Sequence, residues 1–584
     1  MSATGRTAML VGLDIGRVNT RVSVFGVREG KYCLLGCEQA ATAFGHDGHL
    51  AAGVHEALEK LEYLLDRKFR LPPKEADEDL AINQQTVGQV GLTLSAFPKI
   101  RAALFSLTAC GSLSKGLALA AKLPIDLVGA YGLADLANEV GVIEQMIHSR
   151  PELLILTGGT DLGAEKPLAR WVEVANLVCR VLPENARPII FFAGNPELDS
   201  LVRRRLEPNT RLVMLPNLQP AYGERDDIPL QLSISREIVA LSAEKLAGLQ
   251  GLSQLAGSLV GVRGAMLDRM VRFISRLKDQ RLMKDNQRGI LALDLGAAST
   301  MVIAGWNGQS DACRIEAWHG DVQDWQAAVD GPIFRWTAAP VSREAAGNEI
   351  ANQRLFPGRI PQTLTELALS QSLARHRIRT SMAALAEITA GLSFDITKGL
   401  MRDFGTIIAS GAALTGAPTP GQAMLILLDG LQPWHQTDVI LDRNQILPML
   451  GLLGEAEPLL PVHVLNSDAF ENLGTVIPVI SGVQEGVMLV SITVAMDSGK
   501  TYTVDIPQGA LRRLIVAPGE SATLSLEPIP SADVGAGPGV NRRVRLTGGE
   551  LGVVIDARGR PLVLPEEDEE RIERIRHWLW SLGG

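Results

Sequence analysis

The chain states one short pattern twice, and that repetition limits the folds open to it. Residues 9–20 read MLVGLDIGRVNT and residues 289–300 read GILALDLGAAST. Each is an apolar run, then Asp-Ile/Leu-Gly, three variable residues and Thr. The matching acids, Asp14 and Asp294, lie 280 positions apart. Each copy continues into a second apolar run, at 22–25 and at 301–304, so each reads as strand, tight turn, strand. A second pair follows the same logic. Residues 153–156 (LLIL) lead into TGGTDLG, and residues 406–409 (TIIA) lead into SGAALTG. Both read as a strand feeding a glycine-rich loop ahead of a helix. After the first loop Leu168, Trp171, Val172, Ala175, Val178, Cys179 and Leu182 share one helical face. After the second, Thr419 is placed to cap a helix that starts at Pro420. Hairpin, loop–helix, hairpin, loop–helix describes an α/β chain of two related halves.

With 584 residues there is room for more than two such halves. We expect a first lobe over 1–232, a helical connector over 233–288 and a second lobe over 289–466. Past 470 short β-branched runs dominate, which predicts a small all-β domain to 563, with Pro478 marking an edge strand or a bulge. Residues 564–584 read as an amphipathic helix with Ile572, Ile575, Trp578 and Leu579 on one side. Aromatic residues are 4% of the chain and the net charge is −9, which argues against stacking on single-stranded nucleic acid and against general binding to phosphate backbones. The five cysteines are scattered and form neither a disulfide framework nor a zinc motif. No signal peptide or membrane span is read, and the expected location is the cytoplasm.

The duplicated turns suggest phosphate chemistry. A tight turn can aim successive backbone N–H groups at one point and so form an anion-binding concavity. Gly16 and Gly296 would let the backbone approach a phosphate, and Thr20, Ser299 and Thr300 would add hydroxyls. Asp14 and Asp294 would repel phosphate directly. Their place is explained if they hold Mg²⁺ or orient water, as catalytic groups. Two such turns facing one another across a cleft would grip a nucleotide. The loops with Gly158, Gly159 and Gly411 would add N–H donors at helix starts. Asp161 either serves a metal or acts as a base, or it caps the helix that follows. There is no GxxxxGK[ST], HExxH or GxSxG. Ser112 and Lys115 form an isolated SxxK, and the glycines at 535–539 lead to no helix.

Paired DIG/DLG hairpins with strand–glycine loops resemble the superfamily of actin, heat-shock chaperone ATPases and sugar kinases. Within it, LLILTGGTDLG, FFAGNPEL, DLGAAST, IIASGAALTG and LLDGLQP…DVILDRNQILPMLGLL, in that order, resemble the glutamate mutase MutL family over about residues 9–455. The resemblance implies a duplicated actin-like ATPase fold holding ATP and Mg²⁺, and a role as activator or reactivating chaperone of an adenosylcobalamin-dependent mutase. It matches Asp14 and Gly16 to the first phosphate motif, Asp294, Gly296 and Thr300 to the second, and Gly411 to the nucleoside side. The family's first motif has a small Ser/Thr and a Lys where this chain has Arg17 and Arg21. Arg17 would either bind phosphate or fill its site and leave a pseudo-ATPase. A non-hydrolysing scaffold and a small-molecule kinase are the alternatives, and a homo-oligomer stays open.

Overall fold

The computed structural model describes residues 9–43, 48–66, 87–95, 99–221, 228–277, 288–316, 333–389 and 404–584, with 331, 392, 394–395 and 399–400. The chain forms two compact units, Met1–Met270 with Pro448–Leu460, and Val271–Leu447 with Pro461–Gly584.

The first unit is built on β1 (Met9–Ile15), β2 (Asn19–Arg28), β3 (Lys31–Ala41) and β4 (Val87–Leu94). Every residue of β1 is buried, Asp14 included, as befits a central strand that is otherwise apolar. It pairs antiparallel with β2 and parallel with β4. Between β4 and the next strand of this sheet the chain makes a separate parallel sheet. Its strands are β5 (Ile100–Phe105), β6 (Ile125–Tyr131), β7 (Leu153–Gly158), β8 (Ile189–Gly194) and β9 (Leu212–Met214), in the order β6-β5-β7-β8-β9. Phe105 stacks on Trp171 at 4.6 Å between centroids, and both belong to the core of this insert. The chain then returns through β10 (Val260–Val262), which pairs with β4 and completes the order β10-β4-β1-β2-β3.

Two features of this topology are not written in the local sequence. The TGGTDLG strand, β7, does not belong to the sheet of the first hairpin. The parallel neighbour of β1 is β4, whereas β7 pairs with β5 and β8. The connector expected over 233–288 is helical at Ile228–Ala243, Leu249–Ala256 and Arg263–Ile274, but it also carries β10; its residues 278–287 lie outside the described residues.

The second unit repeats the first sheet. β11 (Gly289–Leu295), β12 (Ser299–Trp306) and β13 (Gln309–Glu316) form the antiparallel part. After a two-stranded hairpin, β14 (Phe394–Asp395) and β15 (Gly399–Leu400), come β16 (Phe404–Ser410) and β17 (Thr437–Leu441), parallel to β11. The order β13-β12-β11-β16-β17 reproduces β3-β2-β1-β4-β10. The register agrees as well: Asp14 lies opposite Thr93, and Asp294 opposite Ser410. One five-stranded arrangement is thus present twice.

The sheet does not stop at β17. It continues through β18 (Glu471–Pro478), β24 (Val553–Asp556) and β21 (Leu511–Leu514). Pro478 is thus the last residue of an interior strand, where its missing N–H costs least, and neither an edge nor a bulge. The other C-terminal strands, β19 (Met488–Met496), β20 (Thr501–Pro507), β22 (Ser521–Pro528) and β23 (Arg542–Thr547), make a four-stranded antiparallel sheet in the order β20-β19-β22-β23. Alternation along β18 and β24 joins the two layers. Val476 and Val554 enter the core shared with the helix Pro420–Leu431, while Ile477, Val553 and Ile555 enter the core shared with the four-stranded sheet. The helix Asp568–Ser581 docks with Ile572, Ile575 and Trp578 buried, and Trp578 donates to the Gly509 carbonyl at 3.1 Å.

Candidate functional site

The two aspartate-bearing turns are the candidate site, and each is taken within its own unit. In the first, the Gly16 N–H donates to the Asn19 carbonyl at 2.9 Å. That bond closes the turn, so the amide expected to face a phosphate is already committed. Gly16 is still required, because a Cβ there would lie 2.7 Å from the Asn19 oxygen. Thr20 is fully buried, and its hydroxyl shares a 2.9 Å hydrogen bond with that of Thr42. Arg17 is exposed and does not fill the turn.

Asp14 is 5% exposed. Its Oδ1 accepts from the Thr93 hydroxyl at 2.7 Å, and its Oδ2 pairs with Arg263 Nη1, with Arg21 Nη1 at 4.0 Å. Thr93 comes from the neighbouring strand and Arg263 from the first residue after β10. The carboxylate charge is therefore matched within the protein. Mg²⁺ binds oxygen ligands whose net negative charge it neutralises, and a carboxylate in contact with a guanidinium offers little of that. The residues around Asp14 do not fit a directly bound Mg²⁺. Among the described residues no group of three or more His, Cys, Asp or Glu is placed to hold a metal ion.

The second unit brings together Asp294, Gly296, Ser299, Thr300 and Gly411. Gly411 adopts φ +93° against the end of β11, where any side chain would collide with the Leu295 backbone. Thr300 is buried, and its hydroxyl accepts from Arg377 Nε at 3.0 Å. Arg377 Nη2 donates to the Gly296 carbonyl at 2.6 Å. Arg377 reaches the turn from the middle of the helix Leu364–Ile388. Burial pushes its guanidinium down to about 10, against the opposing pull of the Asp294 carboxylate. Neither Arg263 nor Arg377 was expected from the sequence. Arg263 pairs with an acid 249 positions away, and Arg377 lies in a helix whose spacing carries no motif.

The third expected cluster stands apart, at the carboxyl ends of the insert's strands. Gly158 and Gly159 take φ of +124° and +73° there. Asp161 Oδ1 accepts from Asn217 Nδ2 at 2.9 Å, and its N–H donates to the Pro220 carbonyl at 2.9 Å. It ties the loop after β7 to the loop after β9 and does not cap the next helix, whose N-cap position is Glu165. Ser112 Oγ accepts from the Leu107 and Thr108 amides at 3.2 and 3.3 Å, a turn-closing role.

The profile of the MutL protein family matches residues 10–469, most of the chain and nearly all of the duplicated part. The chain belongs to the MutL protein family. A search of curated proteins finds no match. Solved structures similar to this MutL-family chain include acetone carboxylase in its nucleotide-free form, at 10% identity over 86% of this chain and 81% of that one, with a TM-score of 0.35. A diol dehydratase-reactivating factor in nucleotide-free form matches at 12% identity over 77% and 100%, with a TM-score of 0.29. The Ppx/GppA phosphatase of Aquifex aeolicus matches at 10% identity over 78% and 92%, with a TM-score of 0.20. Likenesses this distant bear on neither ligand nor activity.

Proposed function

We propose that this MutL-family protein binds ATP at its hairpin turns and acts on a partner enzyme, of which an adenosylcobalamin-dependent mutase is the first candidate. The observation that carries the reading is the repetition of one turn, in one register, in both units of a MutL-family chain. A nucleotide-dependent change of conformation, read by the partner, would be the working step. In this reading Asp294, Gly296, Ser299, Thr300 and Gly411 contact the nucleotide, and Asp14, Gly16, Arg17 and Thr20 form the matching turn of the first unit. Gly158, Gly159 and Asp161 lie in the loop after β7 of the insert. The ion pair of Arg263 with Asp14 argues against rapid hydrolysis, since the acid that would orient water is already engaged.

The test is ATP binding by isothermal titration and ATP turnover, for the native chain and for Asp294→Asn. Binding by the native chain is the expected result, and equal turnover by the two proteins would reject Asp294 as an essential residue. No binding by the native chain rejects the ATP reading. Recovery of an inactivated mutase by the chain with ATP, absent without ATP, would support that partner, and no effect with or without ATP would reject it.

A further inference from the structure

We propose that this protein uses arginine where an actin-like ATPase would use magnesium: Arg377 is the cation that receives the nucleotide phosphate, and binding needs no divalent metal. The inference deepens the reading above and rests on it.

Each aspartate-bearing turn holds a guanidinium, Arg263 on Asp14 itself and Arg377 on Thr300 and Gly296, and the two arginines come from unrelated places. Arg263 opens the helix after β10, whereas Arg377 sits within a helix between β13 and β16. Their uses differ. In the first unit every polar group of the turn named above is satisfied internally: Gly16 by Asn19, Thr20 by Thr42, and Asp14 by Thr93 and Arg263. The helix Leu50–Leu65 presses there with Gly53, whose absent side chain is what allows the approach, since a Cβ would lie 3.1 Å from Thr20 Oγ1. In the second unit the helix in the corresponding place, after the third strand of the sheet, delivers Arg377. Its Nε and Nη2 are anchored on Thr300 and the Gly296 carbonyl, and among the described residues Nη1 makes no hydrogen bond.

A guanidinium is a planar fork of five N–H donors. One edge of this fork is fixed on the turn and the other is left for an anion. Arginine binds phosphate with paired, charge-assisted hydrogen bonds and is never deprotonated at working pH. Burial lowers Arg377 although the Asp294 carboxylate opposes it, and a phosphate on the free edge would add a further counter-charge. The first unit's arginine completes an internal ion pair, so the phosphate contact falls to the second unit.

The experiment is ATP titration of the full chain with excess Mg²⁺ and, separately, with excess EDTA, alongside Arg377→Met and Arg377→Lys. The expected result is equal affinity in the two conditions within about threefold, a loss of about tenfold or more in both for Arg377→Met, and partial retention for Arg377→Lys. Binding that vanishes in EDTA and returns with Mg²⁺ overturns the arginine-for-metal inference and leaves ATP binding intact. No binding in either condition overturns both. Should Arg377→Met fail to fold by circular dichroism, Thr300→Val removes the anchor of Nε and keeps the cation. It should weaken ATP in EDTA and in Mg²⁺ alike, and unchanged affinity would count against the proposal.

Discussion

At the scale of single residues, the second unit is organised by charges sealed from water. Asp429 receives Arg375 Nε at 2.8 Å and Arg558 Nη1 at 2.7 Å. Asp556 receives Arg558 at 2.9 Å and Arg560 at 2.8 Å, and the side chains of both acids are fully buried. Arg558 also lies over the Trp578 ring at 4.7 Å. Breaking such a network leaves an uncompensated buried charge. Asp429→Ala should therefore cost about 3–5 kcal/mol, measured as a shift in the urea midpoint at constant slope. An unchanged midpoint would mean that the arginines find water or new partners. The network also fixes a pH dependence. Burial alone would raise the Asp556 carboxyl, but Arg558 and Arg560 outweigh it and hold it well below the usual carboxylate range. Its stabilisation is complete above the unfolded value of about 3.9 and is lost as pH falls below that. His376 adds an earlier step. Burial, with help from Arg379, pushes it down to about 4, so below about 6.5 the unfolded chain takes up a proton that the folded chain refuses. Stability should fall between pH 6.5 and 4 in proportion to that difference, and His376→Gln should flatten this limb while leaving the more acidic one. A limb that persists in the variant would assign it elsewhere.

At the scale of elements, the sequence and the structure part company in an instructive place. The hairpins were legible because two features coincide in each: a buried strand must be apolar throughout, and the turn must hold a glycine where the backbone folds back on itself. Those are local demands, written in neighbouring residues. The loop after β7 was also legible as a glycine turn, and Gly158 and Gly159 do adopt positive φ. What could not be read was the sheet to which it belongs. A parallel strand carries the same signature in any sheet, because both its faces are covered wherever it sits. The strand that does answer β16, β4, runs VGQVGLTL and leads to the insert instead of a glycine loop and helix. The helix Leu364–Ile388 was missed as a source of function for a related reason. Ser372, Arg375 and Ser381 are buried along with its apolar residues, so its spacing gives no clean face.

At the scale of the whole molecule, the C-terminal addition is part of the second unit's sheet and core. The family match ends at residue 469, just before β18 begins at Glu471. Leu473, Val476, Leu511, Val554, Ile575 and Trp578 nevertheless share a core with Leu425 and Leu428 of the family-matched part, and Asp429 depends on Arg558. A chain ending at 469 would expose the edge of β17 and leave a buried acid short of a partner. It should be insoluble or aggregated, judged by soluble yield and size-exclusion chromatography. A soluble, monodisperse truncation would show that the addition is a separable module. Duplication, the apolar strands, the glycine turns and the family were set by the sequence, since each rests on residues adjacent in the chain. Tertiary structure alone decided that Arg263 reaches Asp14, that Arg377 occupies the second turn, and that β7 lies in another sheet. Those contacts join residues tens to hundreds of positions apart, and an arginine's partner is chosen by the fold that brings an acid or a carbonyl within reach.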